Sequence, residues 1–244
     1  MLRGFYNAAQ GMIVKQRELD AISNNVSNIN TAGYKKDEIV TNTFMEELIL
    51  VSGRKKTSGT FVQTYVDTSK TNLEQSNFEY TESRFDMAIY GNVYFNVMTP
   101  GGNVYQTRNG QFTLDDEGYL SLGSEGRVQG ENGDIYLGTD DFVVDADGNI
   151  TSDNGTSDRL LLTYIPSDAD VKKIGNSLFS YDGNEELPAG ETYDIIQGAF
   201  EKSNVDGNKE MTQAIEAQRL YEASSKILKY IDAINSSAND IAKL

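Results

Sequence analysis

The 244-residue chain contains no cysteine, no histidine and no tryptophan, and only 3 prolines. Without cysteine there is no disulfide and no thiol chemistry. Without histidine the usual general base and the commonest zinc ligand are both missing. A chain of this kind suits either redox compartment. Basic residues are scarce too: 21 Lys and Arg stand against 37 Asp and Glu, for a formal charge of -16. A binder of nucleic acid or anionic membrane needs clustered Lys and Arg to neutralise phosphates, and no such patch occurs. No apolar run approaches the ~18 residues that a membrane span requires. The N-terminus lacks the apolar core of a secretory signal, so the chain reads as soluble and cytoplasmic, or as exported by a route without a cleaved signal.

What is present is organised from the C-terminal end. Apolar or small residues fall at Ala217, Leu220, Ser224, Ile227, Ile231, Ile234, Ala238 and Ile241, alternately three and four apart. This is the heptad seam of an α-helix that buries one narrow stripe against another helix. A second seam near the N-terminus runs through Leu2, Phe5, Ala9, Met12, Gln16, Leu19, Ser23 and Val26, weakened by its polar members Gln16 and Ser23. Its helix is expected to stop between Asn28 and Gly33, where the residues tolerate left-handed backbone. Pairing the two seams predicts a coiled-coil-like stalk. The apolar surface left over is then completed by neighbouring copies.

Between the seams the pattern changes to short β segments at 86–90, 93–97, 104–107, 111–114 and 119–122. Turn signals at Gly91-Asn92, Gly101-Gly102, Asn109-Gly110 and Asp115-Asp-Glu-Gly118 separate them, and the rhythm continues at Gly133-Asp134, Asp147-Gly148, Asn154-Gly155 and Asp182-Gly183. Strand-turn spacing of roughly 8 to 12 residues predicts an antiparallel sandwich or barrel rather than a βαβ fold. Residues 36–84 read as a connector with some strand, with a short helix or strand at 44–51 and a polar, flexible run at 52–59. The expected class is therefore α+β. A discontinuous helical domain is built from 1–35 and 204–244, and a central all-β antiparallel domain occupies 85–203.

Chemical motifs are few. Asp145-Ala-Asp-Gly-Asn149 invites a calcium reading, but an EF-hand loop needs its glycine at position six and here Gly148 stands at four. A polar β-turn is the better reading. The carboxylates of Asp115-Asp-Glu117 and Glu185-Glu186 are adjacent in turn-rich segments, which favours solvated loops over paired acid-base catalysis. No phosphate-binding glycine loop occurs. The 14 Tyr and 10 Phe lie mostly in the predicted strands and read as sheet and core residues, with a carbohydrate-binding surface as the minority alternative. No catalytic, cofactor-binding or metal-binding residue is assigned.

Asn24, Asn25, Asn28 and Asn30 lie late in the first helix, where Asn is a mediocre helix former. Asn24 and Asn28 are four apart and share a face, so their amides can bond a neighbouring backbone or subunit. Their context, Ser23-Asn-Asn-Val-Ser-Asn-Ile-Asn-Thr-Ala-Gly-Tyr-Lys35, resembles the N-terminal signature of the bacterial flagellar rod and hook proteins. Further blocks are similar to that family in its own order: residues 85–95 continuing through Tyr105-Gln-Thr-Arg-Asn-Gly-Gln-Phe112 and Asp116-Glu-Gly-Tyr-Leu120, then Ile174-Gly-Asn-Ser-Leu-Phe179. The last are Gln197-Gly-Ala-Phe-Glu-Lys-Ser-Asn-Val205, followed by Gln218-Arg-Leu-Tyr-Glu222 and Ser225-Lys226. Ala32 and Ser27 stand where Pro and Ala are frequent.

The resemblance implies an axial structural protein whose terminal helices pack in the core of a helical tube that carries torque, with the β domain outward. It implies assembly roles for Asn24, Asn25, Asn28, Asn30, Gly33 and Tyr34, for Leu220, Ile227, Ile231, Ile234 and Ile241 on the C-terminal seam, and for the signature residues Ser203, Asn204, Val205, Gln218, Arg219 and Tyr221. The implied partners are the chain itself, other rod and hook proteins and the flagellar export apparatus. The implied location is the basal body outside the cytoplasm, reached without a cleaved signal. The connector after Leu50 lacks the Leu-Gln-Ile-Gly-x-Gly-like stretch common in distal rod proteins, which favours the proximal rod. The competing reading is a secreted β-rich module for carbohydrate or surface binding on a helical stalk.

Overall fold

The structure, a computed structural model, describes residues 2–43, 64–175, 177–181, 183, 188–189 and 191–242. The expected element at 44–51, the polar run at 52–59 and Asp182 of the Asp182-Gly183 turn lie outside the described residues. So do the side chains of Leu2, Ala238 and Ile241. The chain divides into two compact units, one of Met1–Ser27, Asp37–Lys70 and Asp206–Leu244, the other of Asn28–Lys36 and Thr71–Val205.

The first unit holds helix α1 (Leu2–Ser27), a two-stranded sheet of β1 (Asp37–Thr43) and β2 (Thr64–Thr71), and a long C-terminal helix (Gly207–Ala242), α2 here. Asp206 caps α2: its Oδ1 accepts the amides of Asn208 at 3.0 Å and Lys209 at 3.3 Å, satisfying donors that an uncapped helix leaves orphaned. The helices pair antiparallel. A Cβ built on Gly4 would meet Ile231 Cδ1 at 3.7 Å, one on Gly11 would meet Ser224 Oγ at 3.6 Å, and Asn25 reaches Glu210 at 3.3 Å. The residue numbers in each pair add to the same total, as an unbroken antiparallel register requires.

The facing stripe of α2 is Glu210, Ala214, Ala217, Tyr221, Ser224, Leu228 and Ile231, all buried or half-buried and alternately four and three apart. Among the described side chains only Ala217, Ser224 and Ile231 of the anticipated seam belong to it. Leu220, Ile227 and Ile234 are 44%, 50% and 56% exposed, because they sit on the adjoining face. Two apolar stripes share those positions in the sequence, and the spacing alone merged them. On α1 the residues that meet α2 include Gly4, Gly11 and Asn25, while Phe5, Ala9, Met12, Leu19 and Val26 of the anticipated seam are half-buried. Small residues there let the backbones approach closely. The paired terminal helices and the antiparallel β domain together give the expected α+β class.

The second unit opens with β3 (Phe78–Tyr80), β4 (Met87–Tyr90), β5 (Val93–Met98), β6 (Val104–Thr107), β7 (Thr113–Leu114), β8 (Leu120–Ser121), β9 (Arg127–Gly130) and β10 (Gly133–Asp134). After these come β11 (Phe142–Val144), β12 (Asn149–Ser152), β13 (Ser157–Arg159) and β14 (Leu162–Tyr164). The last strands are β15 (Lys172–Ile174), β16 (Leu178–Ser180), β17 (Asp194–Gln197) and β18 (Ala199–Glu201). Among the described residues the principal sheet runs β15-β16-β6-β5-β9-β8-β7, with β10 added on β9 and β14 on β5. A three-stranded sheet, β11-β12-β13, and the pairs β17-β4 and β18-β3 complete the unit. Every pairing with a described register in this unit is antiparallel.

The turns show why the strands are so short. Thr99 to Asn103, Asp115 to Tyr119, Asp145 to Asn149 and Ser152 to Thr156 each close the same way, with the first amide bonded to the fifth carbonyl and the fourth amide to the first carbonyl. In two of them an aspartate braces the turn. Asp145 Oδ1 accepts the amides of Asp147 at 3.1 Å and Asn149 at 2.8 Å while Oδ2 takes the Asn149 amide group at 2.8 Å. Those bonds, the Asn149 side chain's first, hold the Asp145 carboxyl below the usual carboxylate range. Its oxygens are committed to the turn, as the β-turn reading expects.

Asn109-Gly110 differs from the hairpin its sequence predicts. Gly110 passes over β4, its carbonyl accepting the Met87 amide at 2.9 Å, and a Cβ there would fall 1.6 Å from the Met87 carbonyl oxygen. Close backbone approach, not a tight hairpin, selects glycine at this position. Gly133-Asp134 is also displaced from its turn: it pairs with Gly130 and Gln129 inside the hairpin. The core packs Phe95, Phe112, Phe142 and Met87 with the branched aliphatics of the sheets, and aromatics supply much of it, as expected.

The space at Gly11 is ordinary van der Waals contact, so alanine fits there and removes the entropic cost of a helical glycine. Gly11→Ala is expected to raise the stability of the isolated chain by about 1 kcal/mol, read as a higher urea midpoint with helicity retained.

Candidate functional site

The buried polar centre of the second unit is built from three distant stretches of chain. Lys35, Arg108 and Glu201 are 0%, 2% and 1% exposed. Lys35 Nζ donates to Glu201 Oε1 at 2.7 Å and to the Glu74 carbonyl at 2.7 Å. Arg108 Nη1 donates to Glu201 Oε2 at 3.0 Å and to the Ile89 carbonyl at 2.9 Å, while Nη2 bonds the Gly91 carbonyl. Ser76 N adds a third donor to the carboxylate at 2.8 Å. One carboxylate thus serves two cations. The Tyr94 ring lies 4.6 Å from the guanidinium, and burial pushes its phenol upward. Burial also lowers the Lys35 ammonium from 10.5 to about 8. The Glu201 charge opposes that shift without cancelling it, and the Arg108 charge reinforces it.

Backbone bonds weave the same stretches together. Gly33 N donates to the Glu201 carbonyl at 2.7 Å, and Asn204 N to the Tyr34 carbonyl at 3.2 Å. Asn204 Oδ1 accepts Lys36 N at 2.7 Å, and its Nδ2 donates to the Asn72 carbonyl at 2.9 Å. Lys173 donates to the Lys35 carbonyl at 2.7 Å and stands 3.8 Å from the centre of the fully buried Tyr34 ring. Gly33 has φ +65, and a Cβ on it would fall 2.3 Å from the Arg108 carbonyl carbon. Both the left-handed backbone and the close approach require glycine. Ser203 is buried, its carbonyl accepting Ser76 Oγ at 3.0 Å and its hydroxyl accepting Val205 N at 3.3 Å. Val205 is buried beside it in sequence.

In the first unit Asn25 is the central amide. Its Oδ1 accepts Asp37 N at 3.0 Å and its Nδ2 donates to the Asp37 carbonyl at 3.0 Å as well as to buried Glu210. The side chain thereby completes β1 like a neighbouring strand and ties it to both helices. Asn24 and Asn30 are exposed. Asn28, in the second unit, is buried and accepts Thr31 Oγ1 at 3.2 Å. Gln218 and Arg219 are exposed on α2, Gln218 bonding Glu222 at 3.4 Å, and Tyr221 is half-buried in the helix pair. Ile231 lies at the Gly4 contact, and the side chain of Ile241 is beyond the described residues.

The outward stripe of α2 places Leu220, Ile227 and Ile234 seven apart, with Tyr230 beside them at 68% exposure. On α1, Tyr6 and Ile13, 60% and 49% exposed, are also seven apart. Single exposed apolar residues are ordinary, but a heptad recurrence is the mark of a helix with a further face to bury. A cleft of about 580 Å³ adjoins it, lined by Gly11, Val14, Ile39, Leu220 and Ser224 among others.

Charged residues inside the sequence blocks were the signal that sequence reading missed. Lys35, Arg108 and Glu201 each lie within a block quoted for the family resemblance, yet a charge in a motif normally reads as solvated. Among the described residues no helix is long and apolar enough to cross a membrane.

Paired terminal helices, a turn-linked β domain and a buried ionic centre that ties distant signatures together define a structural class of protein. Three family models match the chain: "Flagella basal body rod protein" at residues 5–35, "Flagellar hook protein FlgE/F/G D1 domain" at 88–170 and "Flagellar basal body rod FlgEFG protein C-terminal" at 196–241. The flagellar basal-body rod protein FlgG of Bacillus subtilis (strain 168) is 32% identical, covering 96% of this chain and 97% of the relative. FlhO, a flagellar hook-basal body complex protein of the same organism, is 27% identical with 100% of each covered. FlgF, a basal-body rod protein of Caulobacter vibrioides, is 28% identical with 98% and 97% covered. The chain belongs to the flagellar basal-body rod and hook family. It is a structural subunit of the flagellar rod that serves motility, not an enzyme.

The lowered Lys35 value has a definite sign. Below pH 8 the lysine is charged in both folded and unfolded chains, so stability does not depend on its titration. Between about 8 and 10.5 the folded chain has released a proton that the unfolded chain still holds, so stability rises with pH and levels off above. Tyr94, Glu74, Glu201, Arg108 and Lys173 are the ionisable residues around it. Comparison with Lys35→Met isolates its part: the urea unfolding free energy of the wild type should gain on the variant from pH 8 to pH 10, and a gap that stays flat or closes contradicts the assignment.

Proposed function

We propose that this chain polymerises through the outward stripe of α2, Leu220, Ile227 and Ile234, into the helical rod that transmits torque. The observation that carries the reading is the division of α2 into two apolar faces, one occupied by α1 and one exposed. The asparagine motif, Asn24 and Asn30 foremost because they are exposed, supplies amide bonds to the neighbour. Arg219, exposed next to Leu220 in sequence, and Gln218 add polar contacts. In this reading residues 1–35 and 204–244 form the assembly core, 36–84 the connector, and 85–203 the outer β domain.

The partners are further copies and other rod and hook proteins, after delivery by the flagellar export apparatus to the outside of the cytoplasm. A proximal position is favoured by the missing Leu-Gln-Ile-Gly-x-Gly-like stretch after Leu50. The carbohydrate-binding alternative gains no support from the named relatives.

Leu220→Asp, Ile227→Asp and Ile234→Asp each place a charge on a surface that the single chain leaves in water. Each is expected to change unfolding free energy by no more than about 0.5 kcal/mol, yet to abolish swimming and incorporation into basal bodies. Normal basal bodies in all three would defeat the proposal. Because the chain has no cysteine, Ile227→Cys gives cross-links from one known point. Capture of hook protein instead of proximal-rod subunits would defeat the proximal placement alone.

A further inference from the structure

The principal hydrophobic core of the second unit draws every one of its buried residues from between Met87 and Ile195. None comes from residues 28–36, 71–77 or 199–205. Leu73 joins a smaller cluster with Tyr94, Ile165, Val171 and Phe179. Residues 199–201 also pair with β3; among the described residues the contacts that join the three segments to one another are largely polar and centre on Glu201 and Asn204. As an adhesive the ionic centre is weak. Two buried cations share one carboxylate, which leaves surplus positive charge, and Arg108 Nε has no hydrogen-bond partner among the described residues. The desolvation of three charges offsets most of their attraction. As a discriminator the same centre is strong. With Glu201 withdrawn, Lys35 and Arg108 would be buried together without a counter-charge, which the interior does not tolerate.

We propose that residues 28–36, 71–77 and 199–205 form a latch that opens and closes as one unit on a sheet that stays folded, with Glu201 as its keystone. Closure docks the N-terminal signature against the C-terminal one. The latch can close only when the last of its segments, around residue 201, is available, so an incomplete chain keeps Gly33, Tyr34 and Lys35 undocked. Cooperative openings of this size, below the free energy of global unfolding, are how proteins release individual segments.

Native-state hydrogen exchange on the isolated full-length chain tests the latch without reference to assembly. The amides of Gly33, Ser76 and Asn204, each bonded across the latch, are expected to exchange together and at least about 10-fold faster than the β5–β6 ladder amides. In Glu201→Gln their exchange is expected to rise by roughly 10²- to 10³-fold while the β5–β6 amides stay unchanged. A common rate for both sets in the wild type overturns the proposal. So does latch exchange that Glu201→Gln fails to move, or a Glu201→Gln chain whose sheet no longer folds, since the latch would then be inseparable from it.

Discussion

Two buried cations held by one carboxylate set the terms for the whole β unit. Lys35 and Arg108 each lose their hydration, and only Glu201 compensates both. Such a cluster contributes little net stability, because the desolvation of the ions nearly matches their attraction, but it makes wrong arrangements costly. Everything nearby conforms to it. Gly33 must be glycine so that the chain can cross the Arg108 backbone, and Asn204 must reach both Lys36 and Asn72 to keep the crossing segments in register. Three signatures far apart in sequence are therefore one structural object.

The helical unit is governed by a different constraint, the number of faces that one helix can present. α2 carries more apolar surface than α1 can cover. The small residues Gly4, Gly11, Ala217 and Ser224 bring the helices together on one side, and the larger Leu220, Ile227 and Ile234 remain on another. The surface used in folding is thus separate from the branched surface left exposed. Asn25 secures the arrangement by offering β1 the two hydrogen bonds of a neighbouring strand.

Much of this was legible in advance, and for identifiable reasons. The end of α1 near Asn28 and the Asp- and Gly-bearing turns of the β unit depend on residues a few positions apart, so local chemistry decides them. The family blocks were legible as patterns. The roles of Lys35, Arg108 and Glu201 were not, since a lone charge reads as solvated until its partner is known. Asn109-Gly110 was misread as a hairpin because a glycine chosen for backbone approach looks the same as one chosen for a turn.

By itself the sequence determined the α+β class, the two terminal helices, the antiparallel β rhythm and membership in the rod and hook family, because periodicity, turn chemistry and signature blocks are properties of neighbouring residues. Which face of α2 meets α1, and which three charges meet in the interior, were decided only by the tertiary structure. Both depend on contacts between residues as far apart as Gly4 and Ile231 or Lys35 and Glu201. A heptad spacing is satisfied equally by a stripe turned inward and by one turned outward, and only the partner's position tells them apart.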